Sequence, residues 1–186
     1  EQYGNTAEVR FLLLDNMVSN GFQSWAWDYR SQHGGWANET GIFQVRPAYT
    51  DGPMRTWRSL SDPKQLEEQK ERVARDMEDD EQRAQAGEII YLPGVRGQLR
   101  LAAQVKLYES LKAEGSSSQD LQSRFVAELT RIQQEYSIFA HEGRHFIDKK
   151  NGVSESEELE FRAKLSEIAF AELPKLALAG GIFSSN

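Results

Sequence analysis

Apolar residues recur along this chain at two periods, and the change from one to the other marks out its elements. Between residues 6 and 18, Val9, Leu12, Leu13 and Met17 fall near helical spacing and Asn20-Gly21 supplies a stop, so a first helix is expected there. Phe22, Trp25, Trp27 and Tyr29 then shift to a period near two, as do Ile42, Phe43 and Val45, with a Gly/Asn-rich span at 33–41 between them. This predicts an antiparallel hairpin, with strands at 22–29 and 41–46 joined by a long loop.

Residues 47–63 carry Pro47, Gly52-Pro53 and Asp62-Pro63, punctuation that predicts an irregular segment leading into a charged helix over 64–86. The apolar piece Ile89-Ile90-Tyr91-Leu92 ends at Pro93-Gly94, and a further helix is expected from Gln98 to Ala113. Gly115-Ser116-Ser117-Ser118 breaks the chain, as a turn between helices rather than a domain boundary.

The last third is the most legible. From Asp120 to Lys150 apolar residues stand at 121, 125, 129, 132, 136 and 139, one helical stripe, and Asn151-Gly152 after Lys149-Lys150 supplies a C-terminal stop. A second helix starts after Ser154 or Ser156, with Ser154 and Glu157 in capping-box spacing, and runs to Pro174. Two helices joined by a tight turn should pack antiparallel.

The chain has 186 residues, enough for one compact domain over 1–186 and short for two, and its 39% apolar and 27% charged residues suit a folded globular protein. The expected class is α+β and mainly helical, with a small antiparallel sheet near the N-terminus and a pair of long helices at the C-terminal end. A formal charge of -7 and no visible Lys/Arg cluster argue against nucleic-acid binding, which needs a surplus of cations on one face. There is no cysteine, so disulfides, thiolate metal sites and cysteine nucleophiles are all excluded. No run of 18 apolar residues is present, so no membrane span is expected. The chain begins at Glu1, which suggests a segment processed or excised from a longer protein, with a lean towards an exported or envelope protein.

Candidate chemistry concentrates in His141-Glu142-Gly143-Arg144-His145, which holds two of the three histidines. Histidines four apart on a helix lie about one turn apart on one face, so both imidazoles can converge on a single ion. Glu142 sits beside that face without being a ligand, placed to take a proton from water activated by the ion. Counted at about 100° per residue from Leu121, both histidines fall on the side opposite the apolar stripe, together with Thr130, Gln134 and Ser137. They are therefore expected to line a polar cleft rather than the core.

This segment resembles the HExxH signature of the zincin-type zinc metallopeptidases, over about 35 residues of the chain, with Phe146 and Ile147 at apolar positions and Arg144 at an inner position that is usually uncharged. The resemblance implies zinc, a ligand pair in His141 and His145, Glu142 as general base, and a third ligand farther on. The metzincin continuation is excluded because Asp148 and Asn151 stand at its Gly and His positions, and a deformylase-like site is excluded by the absence of cysteine. What remains is the gluzincin arrangement, with a Glu on the next helix. Glu160, followed three residues later by Ala163, is similar to that pattern, and Glu167 two turns on is the alternative ligand. The Asp that many gluzincins carry one position after the small residue is Lys164 here. Asp148, on the His face of its helix, is expected to orient an imidazole instead.

An oxyanion donor is also needed, and His33 in His33-Gly34-Gly35-Trp36 is the first choice, ahead of Tyr91 and Tyr136. The resemblance further implies a peptide or protein substrate held as an added strand along 22–29 or 41–46. Trp25, Trp27 and Trp36 form either an apolar pocket or, for at least two of them, core. The expected activity is hydrolysis of peptide bonds. The alternatives are a zincin-like module of a larger envelope or secreted protein that binds metal without catalysis, and a metal-free helical interaction domain. Substrate, oligomeric state and compartment are not written in the sequence.

Overall fold

The computed structural model describes residues 4, 6, 8–14, 35–38, 40–88, 92–115 and 117–181. They form three short strands and a series of helices in two compact units. Unit 1 takes Glu1–Gly52 and Thr130–Glu172, and unit 2 takes Pro53–Leu129 and Leu173–Asn186. The molecule is mainly helical with a small sheet near the N-terminus, as the hydrophobic pattern predicts. Among the described residues no helix is long and apolar enough to cross a membrane.

The sheet of unit 1 contains β1 (Phe11–Leu14), β2 (Gly35–Asn38) and β3 (Gly41–Val45), in the order β1-β3-β2. It is mixed rather than purely antiparallel: β1 runs parallel to β3, in register Phe11↔Ile42, and β2 runs antiparallel to it. The structure departs from two further expectations as well. The helix over 6–18 gives way to strand at Phe11–Leu14, because four consecutive apolar residues satisfy either period and pairing with β3 decides between them. The span at 33–41, expected as a long loop, contains β2 itself and the first residue of β3. Asn38 Oδ1 accepts from Thr40 N at 2.9 Å and Thr40 Oγ1 at 2.7 Å, the side-chain turn that Asn favours. Gly41 completes it at φ 154°, and a Cβ there would lie 2.2 Å from the Arg10 carbonyl oxygen. The predicted strand at 41–46 corresponds to β3, and that at 22–29 lies outside the described residues.

Unit 1 also holds the first residues of α1 (Arg46–Ser61), the end of α4 (Ser118–Gln134), a π-helical stretch Glu135–Glu142, α5 (Gly143–Lys150) and α6 (Ser156–Phe170). Ala37, Ile42, Tyr49 and Ile138 form one buried cluster between sheet and helix, with Val9 packed on it. The helical rod from α4 through α5 ends at Gly152, whose φ of 85° supplies the left-handed stop read in the sequence.

Unit 2 is built by the rest of α1, α2 (Pro63–Gln85), α3 (Pro93–Ala113), most of α4 and α7 (Pro174–Gly181). The segment 47–63, expected to be irregular, is helical as α1 up to Ser61, and α1 continues through Pro53 although proline removes a hydrogen bond. Pro53 is fully buried, so packing outweighs that loss. Asp62 caps α2 by accepting from Lys64 N at 2.9 Å, with Pro63 in the first turn, where its missing N–H is harmless. Pro93 likewise opens α3 five residues before the expected Gln98, and Pro174 opens α7 rather than ending α6. Trp57, Tyr108 and Phe125 pack with ring centroids 5.7 to 6.1 Å apart in this core.

Candidate metal centre

The helix that carries the two histidines is not uniform, and its irregularity decides which way they face. Leu121, Phe125, Leu129 and Ile132 follow the predicted stripe and are buried, but the next predicted members fail: Tyr136 is half-buried and Phe139 is 53% exposed. The buried positions pass instead to Ile138, Ala140, His141, His145 and Asp148. The cause is the π-helical stretch Glu135–Glu142, whose wider turns take more residues than an α-helix and slip the phase of everything after it. The expectation that His141 and His145 lie opposite the apolar stripe is corrected on this ground. They continue the buried face at 9% and 8% exposure, turned towards α6.

The two imidazoles meet edge to face, with centroids 4.6 Å apart at 85° and Nε2 atoms 3.0 Å apart. Glu160 on α6 brings Oε1 to 3.2 Å from His145 Nε2 and Oε2 to 3.7 Å from His141 Nε2. A tetrahedral site with bonds of 2.0–2.1 Å has ligand-to-ligand edges of about 3.3–3.4 Å, and the 3.0 Å between the Nε2 atoms and the 3.2 Å from His145 Nε2 to Oε1 lie close to that length. His141, His145 and Glu160 can therefore hold a metal ion, and they are the one such group among the described residues.

Glu167, the alternative ligand, stands on the other side of His141: its Oε1 is 2.7 Å from Nδ1, at ion-pair distance though outside hydrogen-bond geometry. The same oxygen accepts from Lys164 Nζ at 3.1 Å. Glu167 thus sits where an imidazole-orienting carboxylate belongs, the duty expected of Asp148. Asp148 is instead paired with two arginines, Arg144 Nε at 2.8 Å and Arg162 Nη1 at 3.4 Å. Arg144, the unusual residue inside the motif, is accounted for by that pair. His145 Nδ1 is buried without a hydrogen-bond partner among the described residues.

Protonation states favour metal binding. Burial, reinforced by neighbouring His141, lowers the His145 pKa to about 4, so its ring is neutral at neutral pH and keeps a lone pair for an ion. Burial raises the Glu142 carboxyl above the usual range, against opposing contributions from His141 and from the Ala37 N–H that its carboxylate accepts. Ala37 lies on β2, an edge strand among those described, and its carbonyl accepts from Lys149 Nζ at 3.3 Å. Both backbone groups of Ala37 are therefore engaged by side chains of the motif helix, which fixes Glu142 between the strand and the ligands.

Tyr49 was not singled out by the sequence. Its hydroxyl is 2.8 Å from Ser137 Oγ, and Ser137 gives its single proton to Gln133 O at 2.6 Å, so Tyr49 must be the donor to Ser137. Burial and the nearby Glu142 and Glu167 carboxylates keep the phenol protonated. With its proton already committed, Tyr49 serves as a support rather than an oxyanion donor. Lys149, Lys164 and Arg162 were missed as well, because a lysine or arginine on a charged helix has no sequence signal of its own. His33, Tyr91, Trp25 and Trp27 lie outside the described residues, while Trp36 stacks on Phe43 at 4.9 Å.

Comparison with protein-family models, with curated proteins and with solved structures finds no match to any of them.

Proposed function

We propose that this chain is a zinc-dependent metallopeptidase that hydrolyses peptide bonds in protein or peptide substrates. The observation that carries the reading is the convergence of two histidine Nε2 atoms 3.0 Å apart with the Glu160 carboxylate of the adjoining helix, whose Oε1 lies 3.2 Å from His145 Nε2 and whose Oε2 lies 3.7 Å from His141 Nε2. Zinc is preferred to other divalent ions because two imidazoles and one carboxylate, with a fourth position open, is a donor set of known catalytic zinc sites. A bound ion would supply Lewis-acid polarisation of the attacked carbonyl and acidify its water.

The remaining work falls to the side chains. Glu142 takes the proton from the attacking water and returns it to the departing amine; its raised pKa brings it closer to the working pH than an exposed glutamate would be. The Ala37 N–H steadies that carboxylate. Neutral His145 contributes a lone pair, and Glu167 beside Nδ1 of His141 favours ligation through Nε2. An extended substrate laid along β2 would gain backbone pairing at Gly35, since Ala37 is already engaged. The choice of a peptide bond rests on the resemblance to zincins, whereas the residues by themselves support metal-assisted hydrolysis.

The test is digestion of an unstructured peptide mixture by zinc-loaded protein, read by mass spectrometry, with Glu142→Gln alongside. Cleavage that disappears with a chelator, and falls about 10²–10⁴-fold in a variant that still binds zinc, is the expected outcome. Zinc bound by both proteins with no cleavage by either would replace this reading with the non-catalytic binding module.

A further inference from the structure

Only two of the three proposed ligands are fixed to one another by a shared helix. His141 and His145 ride on one helical rod, whereas Glu160 comes from α6 beyond residues 151–155, and its side chain is 54% exposed. Whether its carboxylate reaches the two Nε2 atoms depends on where α6 lies along α5.

An ionic link, buried on its carboxylate side, joins the two helices beside the proposed ligands. Asp148, three residues after His145, is 2% exposed. Its Oδ2 accepts from Arg144 Nε at 2.8 Å and its Oδ1 from Arg162 Nη1 at 3.4 Å, and Arg162 stands two residues after Glu160. Arg162 Nε also donates to Glu158 Oε1 at 2.6 Å, so the guanidinium is held at two points. The Asp148 carbonyl accepts from Asn151 N at 3.1 Å and Val153 N at 2.9 Å, closing the turn between the helices.

Charge balance alone does not require this arrangement. A buried carboxylate needs one cation, and Arg144 supplies it from the same helix. The second cation, from α6, adds a connection between the helix of His145 and the helix of Glu160. We propose that Arg162, bridging Asp148 and Glu158, is a positioning residue: it holds α6 at the height from which Glu160 reaches the imidazoles, giving the site three protein ligands instead of two. The inference rests on the metal-binding reading above.

The experiment measures zinc affinity by competition with a chromophoric chelator for the wild-type chain, Arg162→Met, Arg162→Lys, Glu160→Gln and the double variant Glu160→Gln/Arg162→Met. Circular dichroism of the metal-free proteins accompanies it. Arg162→Met is expected to bind zinc about 10–100-fold more weakly, in the range of substitutions behind a ligand. Arg162→Lys should recover most of the loss. In the Glu160→Gln background Arg162→Met should cost nothing further, because the ligand it positions is already gone. A purely structural role would not produce that dependence. Asp148 keeps Arg144 in every variant, so the helices should form; should Arg162→Met lose its helical spectrum, Arg162→Gln alone and in the Glu160→Gln background carries the comparison, with the same loss expected and the same results overturning it. Wild-type affinity in Arg162→Met, or an equal loss with and without Glu160, would overturn the inference while leaving the metal site standing. A wild-type chain that takes up no zinc would overturn both.

Discussion

Replacing Glu160 by Gln is the perturbation whose size the geometry constrains best. The carboxylate lies 3.2 and 3.7 Å from the two Nε2 atoms, and Glu167 cannot take its place, being against Nδ1 on the far side of the His141 ring. The substitution therefore leaves two protein ligands and removes a negative charge from the site. Substitutions behind a ligand, which leave every ligand in place, already weaken metal binding 10–100-fold. Loss of a ligand should then cost at least about 100-fold, or about 2.7 kcal/mol. The same amount should vanish from the stabilisation that zinc confers, since a ligand's contribution follows the logarithm of its concentration over Kd. For a chain of this size that is a reduction of roughly 5–10 °C in the zinc-induced rise of Tm. Chelator competition gives the affinity, and thermal scans with and without zinc give the linkage. Glu160→Gln binding zinc within threefold of wild type, with Glu167→Gln losing it, would refute the assignment and make Glu167 the ligand.

Three further outcomes follow from particular contacts. In metal-free protein His145 has a folded pKa near 4 against 6.5 unfolded, so the unfolded chain binds the proton first and stability falls as pH drops from about 6.5 to 4; allowing for partial hydration and for Glu142 acting in the opposite sense, about 2 kcal/mol should go. Urea titrations at several pH values with chelator present would measure it, and His145→Gln should flatten the slope; an equal slope in the variant would contradict the assignment. Gly41→Ala should destabilise by about 1–3 kcal/mol, because its Cβ would meet the Arg10 carbonyl at 2.2 Å; a neutral result in chemical denaturation would contradict that packing. Phe125→Ala, at 0% exposure in the core of unit 2, should cost about 3–5 kcal/mol by the same assay, and a loss under 1 kcal/mol would mean the ring is not packed as described.

How much of this was legible in the sequence varied with the length of the pattern. The long stripe through Leu121, Phe125, Leu129 and Ile132 and the Asn151-Gly152 stop specify a helix and its end, because many residues agree on one period. At Phe11–Leu14 four adjacent apolar residues carry no period of their own, and the partner that decides for strand, β3, lies some 30 residues away. Proline misled at 47–63, where burial of Pro53 holds α1 together against a local signal to break. At the site, the spacing of His141, Glu142 and His145 was visible at once, while their facing was not: a constant turn angle cannot anticipate the π-helical stretch that rotates them into the interior. Glu160 and Glu167 could not be separated by spacing, since two helical turns place them on one face. Their division into candidate ligand and candidate imidazole partner arises from which side of the His141 ring α6 meets, and the pairing of Asp148 with Arg162 likewise exists only once α5 and α6 are packed.

Binding of one zinc ion by His141, His145 and Glu160 is read by elemental mass spectrometry on protein purified without added metal or a nickel-charged affinity step, wild type beside His145→Ala. Near one zinc per chain in the wild type and almost none in the variant is the predicted result. No metal in the wild type, even after dialysis against zinc, would contradict the site and remove the basis for hydrolysis.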